Sequence, residues 1–449
     1  MKKKVIESSV LFVSIVKWVT LAACVGLVVG VSTTVFLKLL ALGIALTGRF
    51  SYYYLFLPAA FFVSVMMVKY LAPEAEGHGT EKVIEAVHKR AGRINPMVVP
   101  VKLAATIITI AFGGSAGKEG PCAQIGAGLA SGLSDLFRFD DRDRRKLVIC
   151  GISAGFATVF GTPIAGAIFG VEVLFVGGLL YDVLLPSFVA GIVGFHVSSL
   201  LGITYFYEPL KFVPVFSSFF FIDVCLSGLF FGLCSILFVE MLKSFQRLSL
   251  GIKVAAPYKA LLGGAFLVLL TFLVSPRYLG LGLDAIQGSL EGGQTPVLAF
   301  VFKMLFTSVT LNFGGSGGIV TPIFFVGATS GNAFGTLLGL DPAMFAAIGM
   351  VSLLAGAANT PISASIMAIE LFGPAVGPYA AVSCIISFLM TGHRSVYPSQ
   401  ILSMQKSSSL VVDKGKVMEE IEAIDVQLRP KSVTGGIARG LKKMKKKQE

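Results

Sequence analysis

Glu119 is the residue whose type and setting most clearly predict chemistry in this sequence. It lies in a glycine-rich stretch, Gly113–Pro121, that is surrounded by strongly apolar sequence. Glycine-rich helix starts expose unpaired backbone N–H groups and the positive end of the helix dipole, and both attract anions. We expect the carboxylate to occupy, as a tethered anion, the site made by the amides of residues 114–120, and to leave it when protonated. The simpler alternative is a carboxylate that caps a helix beginning at Pro121.

The glycine-rich pattern occurs twice. Gly314–Pro322 repeats Gly113–Pro121 at an offset of 201 residues (314 − 113 = 201), and other matched segments keep nearly the same spacing. Glu172 and Glu370 each follow a Thr-Pro pair by ten residues. The sequence is therefore a duplicated half, and the matched positions of these two glutamates predict a shared structural role, either hydrogen bonding to buried helix ends or a subunit contact.

Two further residues could line an anion path. His78 lies in a Gly-His-Gly-Thr turn that should open a helix over Glu81–Lys89, and an imidazole can donate an N–H to an anion. An interfacial loop histidine is the alternative for His78. Tyr397 follows the last apolar run, and by itself it is typical of a tyrosine at the membrane interface.

Composition places these residues in a polytopic membrane protein. Of 449 residues 55% are hydrophobic and only 14% are charged, and the mean hydropathy is +0.82. Several apolar runs exceed the ~20 residues needed to span a bilayer, while glycine and proline interrupt others, which predicts an all-α fold of broken and re-entrant helices. The runs lie at about 10–42, 54–69, 147–160, 184–205, 218–241, 259–275, 296–312, 343–356 and 375–391.

The charge pattern predicts orientation and partners. The net charge is +12, and basic clusters recur between apolar runs and at Lys442–Lys447. Such clusters favour the cytoplasmic side and anionic lipid, so both termini are expected in the cytoplasm and no nucleic-acid partner is expected. The basic start, residues 1–9, leads into a retained first span rather than a cleaved signal peptide. Residues 406–449 form a predicted basic cytoplasmic tail.

Enzymatic and metal-binding functions find little support. The six cysteines are scattered without paired spacing, so neither a disulfide framework nor a metal site is expected. A nucleotide-binding P-loop is excluded because Glu119 follows Lys118 where Ser or Thr is required. An intramembrane protease using Ser115 and His196 is disfavoured, since the same Gly-Gly-Ser recurs at Ser316. The sequence therefore predicts no enzyme and no cofactor.

From about residue 10 to 405 the chain resembles the CLC family of voltage-gated chloride channels and chloride/proton antiporters. Gly117–Pro121 reproduces the family's Gly-Lys/Arg-Glu-Gly-Pro signature with Glu119 at the gating position, and Gly318–Pro322 matches its Gly-x-Phe-x-Pro motif. The resemblance implies inverted repeats, about 10–205 and 215–400, in a homodimer with one pore per subunit and with chloride as substrate. The anion-binding positions that it implies are His78, Gly79, Lys118, Gly120, Ile319, Val320 and Tyr397.

Departures from the family pattern leave the mechanism open. His78 stands at the usual serine and Glu81 at the motif's proline, while Val320 replaces the motif phenylalanine. Val173 occupies the inner proton-glutamate position, which favours a passive channel, although some exchangers lack that glutamate. Pro121 and His78 argue against the fluoride branch. The sequence thus predicts chloride transport through a glutamate-gated pore. The alternatives are H⁺/Cl⁻ exchange and a carrier for another anion, such as nitrate or an organic acid.

Overall fold

The computed structural model describes residues 2–205, 218–421 and 425–426. Within these residues sixteen α-helices fall into two sets of eight. The first set is α1 (Lys2–Thr47), α2 (Leu57–Leu71), α3 (Thr80–Lys89), α4 (Val98–Ala111), α5 (Glu119–Leu136), α6 (Asp141–Phe160), α7 (Pro163–Glu172) and α8 (Tyr181–Leu200). The second set is α9 (Ser218–Gly251), α10 (Ala256–Leu273), α11 (Leu283–Leu290), α12 (Ala299–Asn312), α13 (Val320–Leu338), α14 (Pro342–Ala358), α15 (Pro361–Phe372) and α16 (Gly377–Met390).

Helix length separates spanning helices from broken ones. In the described part of the chain five helical segments are long and apolar enough to cross a membrane, and they correspond to α1, α2, α8, α9 and α10. Apolar helices of 10–17 residues, such as α4, α7 and α12, are too short to cross alone. The nine predicted apolar runs all fall on helices, so the predicted all-helical membrane fold of interrupted helices is confirmed.

The same kind of N-cap starts a matching helix in each half. Asp140 caps α6 by accepting the N–H of Asp143 at 2.8 Å, and Asp341 caps α14 by accepting the N–H of Ala343 at 2.9 Å. The two helices also end alike, because α6 stops at Gly161 and α14 at Asn359, both in the left-handed conformation. The duplication therefore extends to the local signals that start and stop helices.

Two helix starts are capped by the opposite half. The Glu370 carboxylate reaches the first turn of α7, and the Glu172 carboxylate reaches the first turn of α15. Each accepts two backbone N–H bonds at 2.8–3.0 Å, from Ile164 and Ala165 or from Ile362 and Ser363. The predicted hydrogen bonding of these glutamates to helix ends is confirmed. Because each carboxylate binds a helix of the opposite half, these hydrogen bonds link the two halves.

Glycines allow the central helices to approach closely. A Cβ added to Gly151 on α6 would lie 2.5 Å from the carbonyl oxygen of Gly126 on α5. In the second half a Cβ on Gly327 of α13 would lie 2.7 Å from the Cα of Met350 on α14. Membrane helices pack through small residues because burial of apolar surface gives them no driving force in lipid.

The segment after α16 returns to the membrane body. β2 (Ile401–Leu402) pairs in parallel with β1 (Phe175–Val176), and β3 (Leu410–Val411) pairs antiparallel with β4 (Asp425–Val426). Lys406 is buried and its Nζ donates to Asn359 Oδ1 and to the Phe388 carbonyl, both at 2.6 Å. The predicted start of the tail at residue 406 stays a prediction. In the structure Lys406 itself is buried against the membrane body. The basic cluster at 442–447 lies outside the described residues.

Candidate functional site

The two glycine-rich loops meet each other before the helices α5 and α13 begin. Gly117 and Gly318 exchange backbone hydrogen bonds of 2.7 and 2.6 Å. Two threonines fix the loops from the opposite half, since the Ser115 N–H donates to Thr310 Oγ1 and the Ser316 N–H donates to Thr109 Oγ1. These crossed bonds place the starts of α5 and α13 side by side.

Glu119 is fully buried at this junction. Its carboxylate accepts the N–H of Thr321 at 3.0 Å and also the Thr321 hydroxyl. The sequence predicts donors from the loop 114–120. The structure does not meet this expectation, because both donors belong to Thr321 at the start of α13 in the other half. The expected helix start at Pro121 is wrong, because α5 begins at Glu119 itself.

The start of α3 lies against the start of α5. Gly79 has a φ of +84°, and a Cβ there would lie 2.6 Å from the Gly120 carbonyl carbon. A Cβ on Gly120 would collide in turn with the His78 carbonyl. Glycine is required at both positions, because backbone touches backbone. The helix that His78 opens begins at Thr80, one residue before the predicted start.

Tyr397 reaches the same place from the end of the chain. Its side chain is fully buried, and its hydroxyl makes no hydrogen bond of normal geometry among the described residues, although the Thr80 side chain lies near it. Its backbone N–H donates to Ser395 Oγ at 2.9 Å. Two residues further on, Ser399 donates its backbone N–H and its hydroxyl to the Glu81 carboxylate, so the same segment reaches the first turn of α3.

His78 carries a second buried polar atom without a partner. Its Nδ1 makes no hydrogen bond within the part of the chain that the structure describes. The positive charges of Lys102 and Lys82 interact electrostatically with its ring. Buried polar atoms are nearly always hydrogen-bonded, so an imidazole nitrogen and a phenol hydroxyl left open near converging helix starts are the mark of a ligand site.

The remaining predicted site residues occupy different settings. Ile319 and Val320 are buried where α13 begins, directly before the Thr321 amide that binds Glu119. Lys118 is partly exposed at the N-cap of α5. Val173 follows α7 and is buried, and its carbonyl accepts a 2.8 Å bond from Gln400 Nε2. Val173 therefore places no titratable side chain at the position that the family resemblance marks for proton transfer.

Two buried lysines were missed in the sequence. Lys102 Nζ donates to the carbonyls of Ala75 and Gly77 at 3.1 and 2.5 Å, in the loop before α3. Lys303 Nζ donates to the carbonyls of Tyr278 and Gly280 at 3.1 and 2.8 Å, in the loop before α11. Both lysines are fully buried. In the sequence each is a lysine inside a strongly apolar segment, and the two lysines are 201 residues apart (303 − 102 = 201).

The fold and the site together define a membrane protein with an anion-type site at converging helix starts. Residues 59–392 match the family described as voltage gated chloride channel. The chain belongs to this family, the CLC proteins, and is a multi-pass integral membrane protein of CLC-type anion transport.

Three similar proteins give the context. A protein of Pseudomonas syringae pv. tomato named chloride/fluoride channel protein is 36% identical over 401 residues, covering 87% of this chain and 88% of the relative. The crystal structure of a CLC-type fluoride/proton antiporter has a TM-score of 0.83 at 28% identity, covering 86% of this chain and 98% of that one. A slow cyanobacterial Cl⁻/H⁺ antiporter has a TM-score of 0.73 at 21% identity, covering 83% of this chain and 94% of that one, and it shows the fold alone.

Proposed function

We propose that this chain moves chloride and similar small anions across the membrane through a pore gated by Glu119. The observation that carries the proposal is the Glu119 carboxylate, which binds the amide and hydroxyl of Thr321 at the start of α13. A carboxylate at a helix N-terminus fills the kind of site that a free anion would fill. The ionised side chain blocks the path, and protonation weakens its hold and frees the donors.

The open donors beside Glu119 supply the binding site of the proposal. Tyr397 offers its hydroxyl and His78 a ring nitrogen, and neither has a hydrogen-bond partner within the described residues. We assign the anion to the space near these groups, and we assign supporting roles to backbone N–H groups at the converging helix starts. The remaining residues proposed to bind the anion are Gly79, Lys118, Gly120, Ile319 and Val320.

Chloride is the first substrate of the proposal and fluoride the second. The sequence argued against fluoride on Pro121 and His78. In contrast, the Pseudomonas relative and the antiporter of highest structural similarity reported above both carry fluoride in their names. Phenol and imidazole donors bind either halide, so the chemistry of the site alone does not select between them.

Different observations favour a passive channel and proton-coupled exchange. Val173 provides no proton acceptor, which favours a passive channel. The structural relative with 28% identity is described as a fluoride/proton antiporter, which favours exchange. The common element is the pH-dependent gate, and we propose it for either mode. A homodimer with one pore per subunit remains a prediction from the family resemblance, and cytoplasmic termini remain a prediction from the basic clusters.

Substitution of the gate tests the proposed function. In proteoliposomes containing the purified protein, Glu119→Gln should sustain chloride flux and remove most of its dependence on pH, because the side chain can no longer ionise. Fluoride and nitrate gradients applied to the same vesicles rank the anions. Glu291→Gln is the control, since Glu291 is an exposed glutamate outside the site and should leave the pH profile unchanged. An unaltered pH profile in Glu119→Gln would refute the gate.

A further inference from the structure

A second buried carboxylate lies near the anion site. Glu81 is in the first turn of α3, and its Oε1 accepts both the backbone N–H of Ser399, at 2.9 Å, and the Ser399 hydroxyl. Its other oxygen, Oε2, is buried and has no hydrogen-bond partner among the described residues. A carboxyl group with one oxygen fixed and the other open is able to take up and release a proton without losing its position.

Glu81 is close to the groups assigned to the anion. Ser399 is two residues beyond Tyr397, so one short segment holds both the phenol and the partner of Glu81. Glu81 also lies two residues after Gly79, whose backbone packs against Gly120, the residue next to Glu119. His78 lies three residues before Glu81, and its Nδ1 has no hydrogen-bond partner among the described residues.

The charged groups around Glu81 do not neutralise it. Lys82 and Glu85 lie on the same helix and pair with each other at 3.2 Å. From α4, Lys102 acts on His78 and is held by two carbonyls. The carboxylate of Glu119 faces the site from α5. No ion pair to Glu81 exists within the described residues, and its side chain is partly exposed although Oε2 itself is buried.

The other half of the molecule lacks this arrangement. The residue that corresponds to Glu81 is Asp284 (284 − 81 = 203), in the first turn of α11. Asp284 is exposed and lines a surface cavity of about 830 Å³. Among the described residues, a carboxylate with a buried open oxygen is therefore found at this helix start and not at the matched start in the other half, which argues for a role in transport rather than in the duplicated scaffold.

We propose that Glu81 is a second proton-transfer carboxylate of this chain, which supplies the acceptor that Val173 does not. A proton from the aqueous side binds Glu81 Oε2, passes beside the Tyr397 hydroxyl to the Glu119 carboxylate and leaves Glu81 ionised again. The halide moves through the same site in the opposite direction. The inference rests on the proposed function of Glu119 as the gate, and it assigns the chain to proton-coupled exchange.

The test measures proton and halide movement in the same proteoliposomes under a chloride gradient, and again under a fluoride gradient. The wild-type chain should drive protons against their gradient. Glu81→Gln should lower the ratio of protons to halide by ~10²-fold, the low end of the effect of removing a proton-transfer group, while halide movement stays measurable. Asp284→Asn is the matched control from the other half, and it should keep the wild-type ratio.

The inference would be overturned by a wild-type chain that moves no protons with either halide, or by a Glu81→Gln variant with the wild-type ratio. If Glu81→Gln does not fold, Ser399→Ala keeps the carboxylate and removes its hydroxyl bond. That variant should shift the pH profile of proton movement, and an unchanged profile would also overturn the inference. Failure of the gate itself appears separately, in the pH profile of anion flux through Glu119→Gln.

Discussion

The two halves of the molecule share their supports and differ in their chemistry. Matched positions hold the buried lysines, the aspartate caps and the glutamates that cap helices of the opposite half. At the start of α5 the first half has Glu119, where the second half has Val320 at the start of α13. His78 and Glu81 correspond in the same way to Leu281 and Asp284.

The comparison indicates that duplication built the scaffold and that divergence built the site. A symmetric pair of glycine loops would give two equal helix starts that both attract anions. Because only the first half carries a carboxylate there, Glu119 binds to Thr321 of the second half and the two helix starts are no longer equivalent. Substitutions at matched positions should therefore have equal effects in the scaffold and unequal effects at the site.

The largest expected effect tests the scaffold. Lys102→Met and Lys303→Met each leave two carbonyl groups, one buried and one partly buried, without their donor. An unsatisfied buried group costs about 1–3 kcal/mol, so each variant should lose about 2–6 kcal/mol of unfolding free energy. Denaturant unfolding of the detergent-solubilised protein measures the loss. Similar losses in both variants support a shared structural role, whereas a neutral Lys303→Met would end the equivalence of the halves.

A smaller loss is expected at the exchanged caps. Glu172→Gln and Glu370→Gln retain one acceptor oxygen and lose the second, which costs about 1–3 kcal/mol for one charged hydrogen bond. Glu370 is less buried than Glu172, so its variant should lose less. The same unfolding measurement applies, with transport assayed in parallel. A change in the pH profile of flux without a stability loss would show that these carboxylates act in transport instead.

The smallest effect is expected at the contact between the halves. Thr321→Val keeps the backbone N–H and removes the hydroxyl that donates to Glu119. A bond to a charged acceptor stabilises its ionised form, so protonation should occur at higher pH and the midpoint of the flux profile should rise by about one pH unit. The pH profile of chloride flux in proteoliposomes measures the shift. Thr336→Val, on the same helix but outside the site, should leave the midpoint unchanged, and a fall in the Thr321→Val midpoint would contradict the assigned contact.

Much of the fold was readable from the sequence. The apolar runs and the repeat at an offset of 201 residues predicted the membrane helices and the two halves, since lipid requires long apolar segments and duplication preserves spacing. The short helix α3 was predicted to within one residue of its start, whereas α7 lies in none of the predicted apolar runs, because a segment of ten residues carries little periodic signal. The sequence predicted that Glu172 and Glu370 bind helix ends, but it did not predict which backbone N–H groups they bind.

The candidate site was predicted only in part. Glu119, His78 and Tyr397 were identified by motif, and their roles remain predictions that flux measurements can test. The bond from Thr321 to Glu119, the contact of Ser399 with Glu81 and the buried position of Lys102 were not predicted. These contacts join residues between 25 and 318 positions apart, and the residue types alone do not specify such pairs.

The sequence by itself determined that this chain enters a membrane, that it contains two copies of one design and that a single carboxylate marks one of two matched helix starts. Only the tertiary structure decided where that carboxylate binds and which second acid lies near it. The physical reason is that apolar length and repeat spacing are properties of neighbouring residues. Hydrogen bonds at broken helix ends instead depend on how distant backbone segments cross inside the bilayer.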